Sequence, residues 1–175
     1  MSLRTCLTPL ALVLAATGCS LPHTTNGGLR PAAPPAPAPS SVAPPTGLAA
    51  IQACDLLTVQ ELGSLGVPAQ GRPETVVGLR RCDWGDHEGG IAIGIDEQGG
   101  IDNLNLADAS SVTDVMIGRH RAKRAVEGSG PGYCDVHFAV GDTASVTVQA
   151  LYLNDTPRAC AAADRAAAFV EPKLP

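Results

Sequence analysis

Four cysteines, Cys54, Cys82, Cys134 and Cys160, constrain the fold of this 175-residue chain more than any other feature. In an oxidising compartment four thiols in one domain form two disulfides, with three possible connectivities. Cys54–Cys82 and Cys134–Cys160 are the favoured pairs, because each closes a compact supersecondary unit. A loop of about 25 residues closed in this way is worth roughly 3 to 4 kcal/mol on the chain-entropy account. A zinc site is the rival use of four cysteines. It is disfavoured because the chain has no Cys-x-x-Cys pair and its histidines do not cluster near any cysteine.

The oxidising compartment is read from the N-terminus. Arg4 is the only charged side chain before Arg30, and the short apolar run LTPLALVLAATG follows it. That run is too short for a stable helix across a bilayer core of about 30 Å, which takes roughly 20 residues. It reads instead as a secretory leader over residues 1–18. The end of the leader, Ala16-Thr17-Gly18-Cys19, resembles a bacterial lipobox, in which the cysteine thiol takes a diacylglycerol and becomes the first residue after cleavage. Acyl chains contribute about 0.8 kcal/mol per buried methylene and would hold Cys19 to the outer face of the cell membrane. The membrane, through that N-terminal anchor, is the first expected partner. With Cys6 removed and Cys19 acylated, the four later cysteines are those left to pair.

Residues 19–49 carry few bulky apolar side chains. LRPAAPPAPAPSSVAPPTG includes Pro31, Pro34, Pro35, Pro37, Pro39, Pro44 and Pro45. Such a segment has little apolar surface to bury, and its prolines favour an extended polyproline II path. It reads as a disordered tether lifting an extracytoplasmic domain, residues 50–175, off the membrane. The chain has a net charge of −5, and loss of Arg4 with the leader makes it more acidic. That balance argues against nucleic acid and against binding to anionic lipid surfaces. Aromatic side chains are scarce (Trp84, Tyr133, Tyr152, Phe138 and Phe169), too few for the stacking that sugar and base sites use.

Periodicity predicts an α+β domain. Thr58 and Glu61 form a capping box at the start of a short helix, with Leu57 and Leu62 at staple spacing and Gly63 or Gly66 to end it. LRRCDW and GIAIGID flank the turn-rich GDHEGG as a hairpin, with Ile91, Ile93 and Ile95 on one face. IDNLNLADASS is ambiguous. TDVMIGRHRAKRAVEG, GYCDVHFAVG and TASVTVQALYL read as three more strands. In the second, Tyr133, Asp135, His137 and Ala139 share one face, and Cys134, Val136, Phe138 and Val140 the other. A closing helix starts with Thr156 as cap and Pro157 in the first turn. The expected product is an antiparallel sheet of about five strands, with N- and C-terminal helices packed on one face and two disulfides.

Cys54-Asp55-Leu56-Leu57-Thr58, Cys82-Asp83-Trp84 and the late Cys134 and Cys160 around a β-rich segment resemble the actinobacterial lipoproteins grouped as the domain of unknown function 3558 family. The lipobox and the Pro/Ala-rich linker suit that family too. The resemblance implies a cell-envelope lipoprotein and brings no catalytic residues.

Sites for chemistry are few. No nucleophile elbow, phosphate loop, HExxH zinc motif or calcium loop is present in the sequence. Ser129 lies in EGSGPG, where turn glycines explain it. Asp83, Asp86, His87 and Glu88 surround Trp84 in a stretch that reads as a solvated hairpin tip rather than a metal site. GRHRAKR is the remaining candidate: on one strand, Arg119, Arg121 and Lys123 would share a face, with His120 and Arg124 on the other. That stripe would take an anionic envelope ligand or an acidic partner, or else guard a sheet edge against aggregation. No metal or cofactor is expected. The reading is a non-catalytic, membrane-anchored envelope lipoprotein whose domain binds a protein partner or envelope ligand. The alternatives are a carrier with an apolar cleft between sheet and helices, and, further off, a hydrolase using Ser129, His120 or His137.

Overall fold

Period-two alternation of side chains builds a single antiparallel sheet. The structure, a computed structural model, describes residues 46–175, so the leader, Cys19 and nearly all of the tether lie outside the described residues. The strands are β1 (Arg72–Val76), β2 (Leu79–Gly85), β3 (Gly89–Asp96), β4 (Ser111–Ile117), β5 (His120–Val126), β6 (Tyr133–Val140) and β7 (Ala144–Tyr152). They lie side by side in the order β1-β2-β3-β7-β6-β5-β4, all neighbours antiparallel. The sheet therefore has seven strands, not about five.

Both additional strands come from tight turns that the sequence conceals. RPETV forms edge strand β1, exposed along its whole length, and reaches β2 through a two-residue turn at Val77 and Gly78. The run TDVMIGRHRAKRAV is two strands, folded back on themselves at Gly118 and Arg119. Gly118 has φ +56°, and a Cβ there would fall 2.3 Å from the Glu171 carboxyl group, so glycine is required twice over.

One face of the sheet is the core. Trp84, Ile91, Ile93, Ile95, Val136, Phe138, Val146 and Val148 point to it and are fully buried. Helix α2 (Thr156–Val170) covers β6 and β7 with Ala159, Ala163, Ala166, Ala167 and Val170, small side chains that let the helix approach closely. Helix α1 (Val59–Leu65) has the expected capping box and ends at Gly66 in a left-handed conformation. It packs on α2, whereas the contact with β2 and β3 comes from the 3-10 turn Ala53–Leu56. Leu48, just before the expected domain boundary, is buried in the same core, and Arg80 fixes its carbonyl at 2.8 Å.

Cys54–Cys82 ties the N-terminal turn to β2, and Cys134–Cys160 ties α2 to β6. Both are the pairs expected from the sequence. Asp155, not Thr156, caps α2, by accepting from the Arg158 amide at 3.0 Å. Thr156 instead accepts from the Gly132 amide and donates to Glu127. Sheet and helices meet through one cluster of buried hydrophobic side chains.

Candidate functional site

The opposite face of the sheet is where polar chemistry gathers. Strand β3 presents Gly90, Ala92 and Gly94 to it, with Asp96 at its end, because its isoleucines point to the core. Neighbouring strands lie about 4.8 Å apart, so long side chains from β2 and β7 can meet above these small residues. Arg81 on β2 does so: its Nη2 donates to Gln149 Oε1 on β7 at 3.0 Å. The same guanidinium holds Asp83, with Nη2 2.9 Å from Oδ1. Burial works against the Arg81 charge, but hydrogen bonding to Asp83 and the charges of Asp83 and Glu74 outweigh it and hold the group more firmly protonated.

The row continues in one direction. Gln149 Nε2 donates to Ser129 Oγ at 2.9 Å, and Ser129 Oγ donates to Asp135 Oδ2 at 3.3 Å. Hydrogen-bond donation thus runs from a guanidinium through two neutral groups to a carboxyl, an arrangement in which each bond polarises the next. Beside this row is a cleft of about 210 Å³, lined in part by Arg72, Arg81, Asp83, Tyr133, Gln149 and Leu151.

Two members of this face are buried and incompletely bonded. Asp135 is 2 % exposed and His137 7 % exposed, and neither Asp135 Oδ1 nor His137 Nε2 has a protein partner. Burial raises the Asp135 carboxyl above its ordinary range, against hydrogen bonding from Gln149 and Ser129. Burial likewise pushes the His137 imidazole down to about 4, so it is neutral at neutral pH. His137 Nδ1 is 2.9 Å from Thr147 Oγ1. The ambiguous segment between β3 and β4 runs along this side: Ser145 donates to the Gly99 carbonyl, Ile101 is buried, and Asp102 reaches Arg121.

The sequence-derived candidates are distributed differently. Arg119 is in the β4–β5 turn, where its amide donates to Glu171 Oε1 at 2.9 Å and its guanidinium to the Leu174 carbonyl. Arg121 and Lys123 do share the open face, but Arg121 pairs with Asp102 at 3.3 Å and Lys123 with Asp114 at 2.8 Å. The three-residue stripe is therefore not assembled. Nor does its strand form an edge, since β5 lies between β4 and β6. His120 and Arg124 point to the helix side, to Glu171 and Asp164. At the β2–β3 tip, Asp86 Oδ1 accepts from the Glu88 and Gly89 amides, which lowers its pKa and turns it inward to its own loop. Arg81 and Gln149 escaped the sequence reading. Their only signal was a polar residue at the open-face phase of its strand.

A family model described as "Protein of unknown function (DUF3558)" matches residues 14–173, a span that includes Cys19 and all four later cysteines. The chain belongs to the DUF3558 family. No curated protein and no solved structure matches it. The family description names no activity, so the chemistry of the polar row rests on geometry alone. Ser129 is hydrogen-bonded to Asp135 and Gln149, while His137 is bonded to Thr147 and His120 to Glu171. Ser129 and Asp135 are thus bonded to each other, while the two histidines are bonded to other residues.

Proposed function

We propose that this DUF3558 chain is a membrane-anchored envelope lipoprotein whose folded domain is a non-catalytic binding module, with its ligand face on the open side of the sheet. The observation that carries the reading is the bonded row Asp83–Arg81–Gln149–Ser129–Asp135 beside the cleft. A sheet face kept only for solubility has no need of a carboxyl buried with a free oxygen, because desolvating that group is costly. A hydrogen-bond donor of a ligand or partner that reaches Asp135 Oδ1 would recover part of that cost. The lipobox-like Ala16–Cys19 supports placing the domain at the outer face of the cell membrane, at the end of a proline-rich tether.

Two experiments test this reading. Replacing Cys19 with alanine is expected to release the chain from the membrane fraction and to remove the acyl mass from the intact protein. A photo-crosslinking residue in place of Leu151, at the cleft wall, is expected to give in intact cells an adduct that disappears in Arg81→Ala and Gln149→Ala backgrounds. An adduct indifferent to both substitutions, or no adduct with the protein properly anchored, would overturn the assignment of the face.

A further inference from the structure

The two edges of the sheet are not equivalent, and the difference points to a partner. Edge β1 is short, contains Pro73 and carries Arg72 and Glu74, features that discourage pairing with another strand. Edge β4, Ser111–Ile117, has seven residues with no proline, glycine or lysine. Among the described residues no strand lies beyond it. The charged strand that the sequence offered as edge protection, β5, sits one place inward.

The backbone of β4 is readable from its turn. Ile117 pairs with His120 across a two-residue loop, so that pair exchanges hydrogen bonds, and by alternation the amides of Met116, Asp114 and Val112 face away from β5. The side chains of the same three residues are exposed, and Met116 is 63 % so. Between Val112 and Met116, the Asp114 side chain is 82 % exposed while its partner Lys123 is only 22 % exposed. The edge thus shows solvent an apolar–acidic–apolar row with free backbone donors and acceptors.

We infer that β4 is a strand-addition site for an extended segment of a partner protein that carries apolar, basic and apolar side chains at alternate positions. Backbone hydrogen bonds would supply affinity, and the basic residue opposite Asp114 specificity. This surface is separate from the polar row and does not rest on it. A second copy of this acidic chain fits less well, because two-fold pairing about Asp114 would set two carboxylates opposite each other.

The test is a titration of the full chain, followed by amide NMR, with the synthetic peptide Thr-Val-Thr-Lys-Thr-Val-Thr. The expected result is perturbation centred on the amides of Val112, Asp114 and Met116, with at least fivefold weaker binding when the peptide lysine is replaced by glutamate. Met116→Pro removes an outward amide without breaking the ladder to β5 and should weaken binding at least tenfold. Asp114→Lys keeps every backbone group and should reverse the preference between the two peptides. Perturbation spread over other surfaces, equal binding of both peptides, or peptide-independent dimerisation abolished by Met116→Pro would overturn the proposal.

Discussion

Strand β6 shows both faces of the molecule at the same depth. Toward α2 it turns Cys134, Val136 and Phe138, which have no exposed surface; toward the other side it turns Asp135 and His137, nearly as deeply buried. The first set meets apolar side chains and a disulfide. The second meets Ser129 and Thr147 and leaves one atom of each side chain unpartnered. Burial stabilises on the first face, while on the second it costs desolvation that its hydrogen bonds only partly return. The difference marks the open face as the one whose buried polar groups are least compensated.

The sharpest contrast is between neighbours in sequence. Phe138→Ala opens a cavity under α2 and is expected to cost about 3 to 5 kcal/mol in urea unfolding. Next in size is the paired Cys54→Ala and Cys82→Ala change, which removes a link across 28 residues. It is expected to cost about 3 kcal/mol. If either loss were under about 1 kcal/mol, the helix-side face would not be the main source of stability.

The helix-side face was also the legible one. Its disulfide pairs, the capping box at Thr58 and the isoleucine alternation in β3 all depend on short-range spacing that the sequence displays. The open face depends on register. Nothing in the order of residues shows that Arg81 will meet Gln149, because that contact needs β7 to insert beside β3 and glycine and alanine to clear the space. The β4–β5 turn was missed for a related reason. Gly118-Arg119 lacks the Asn-Gly or Asp-Gly signature, and what demands glycine there is Glu171, more than fifty residues away. β1 was missed because a wholly exposed strand has no apolar alternation to read. Asp155, rather than Thr156, caps α2 because the threonine is drawn to Glu127.

His137 sharpens the comparison through pH. Its folded pKa of about 4 lies below the ordinary value of 6.5, so between the two the unfolded chain binds more protons. Above pH 6.5 this neutral, buried imidazole therefore adds no pH-dependent cost. It destabilises the fold as pH falls toward 4, by up to about 1.4 kcal/mol per pH unit. His137→Gln keeps a partner for Thr147 and does not titrate. Unfolding midpoints at pH 7 and pH 5 should differ less in this variant than in the parent; an unchanged difference would mean that His137 is not the group responsible.

Asp135 gives the smallest effect and the one of opposite sign to the core substitutions. Its pKa is raised by burial, so its carboxyl favours the folded state when protonated, and that advantage is lost as pH rises through its folded value. Burial thus works against the ionised form of this side chain. Asp135→Asn removes the charge and keeps an oxygen for Ser129, and is expected to raise stability more at pH 7 than at pH 3. A gain in stability accompanied by loss of the Leu151 crosslink would identify Asp135 as a group retained for binding at the expense of the fold. A loss of stability at pH 7 would instead show that the carboxylate is fully compensated where it sits, and would remove the main energetic distinction between the two faces.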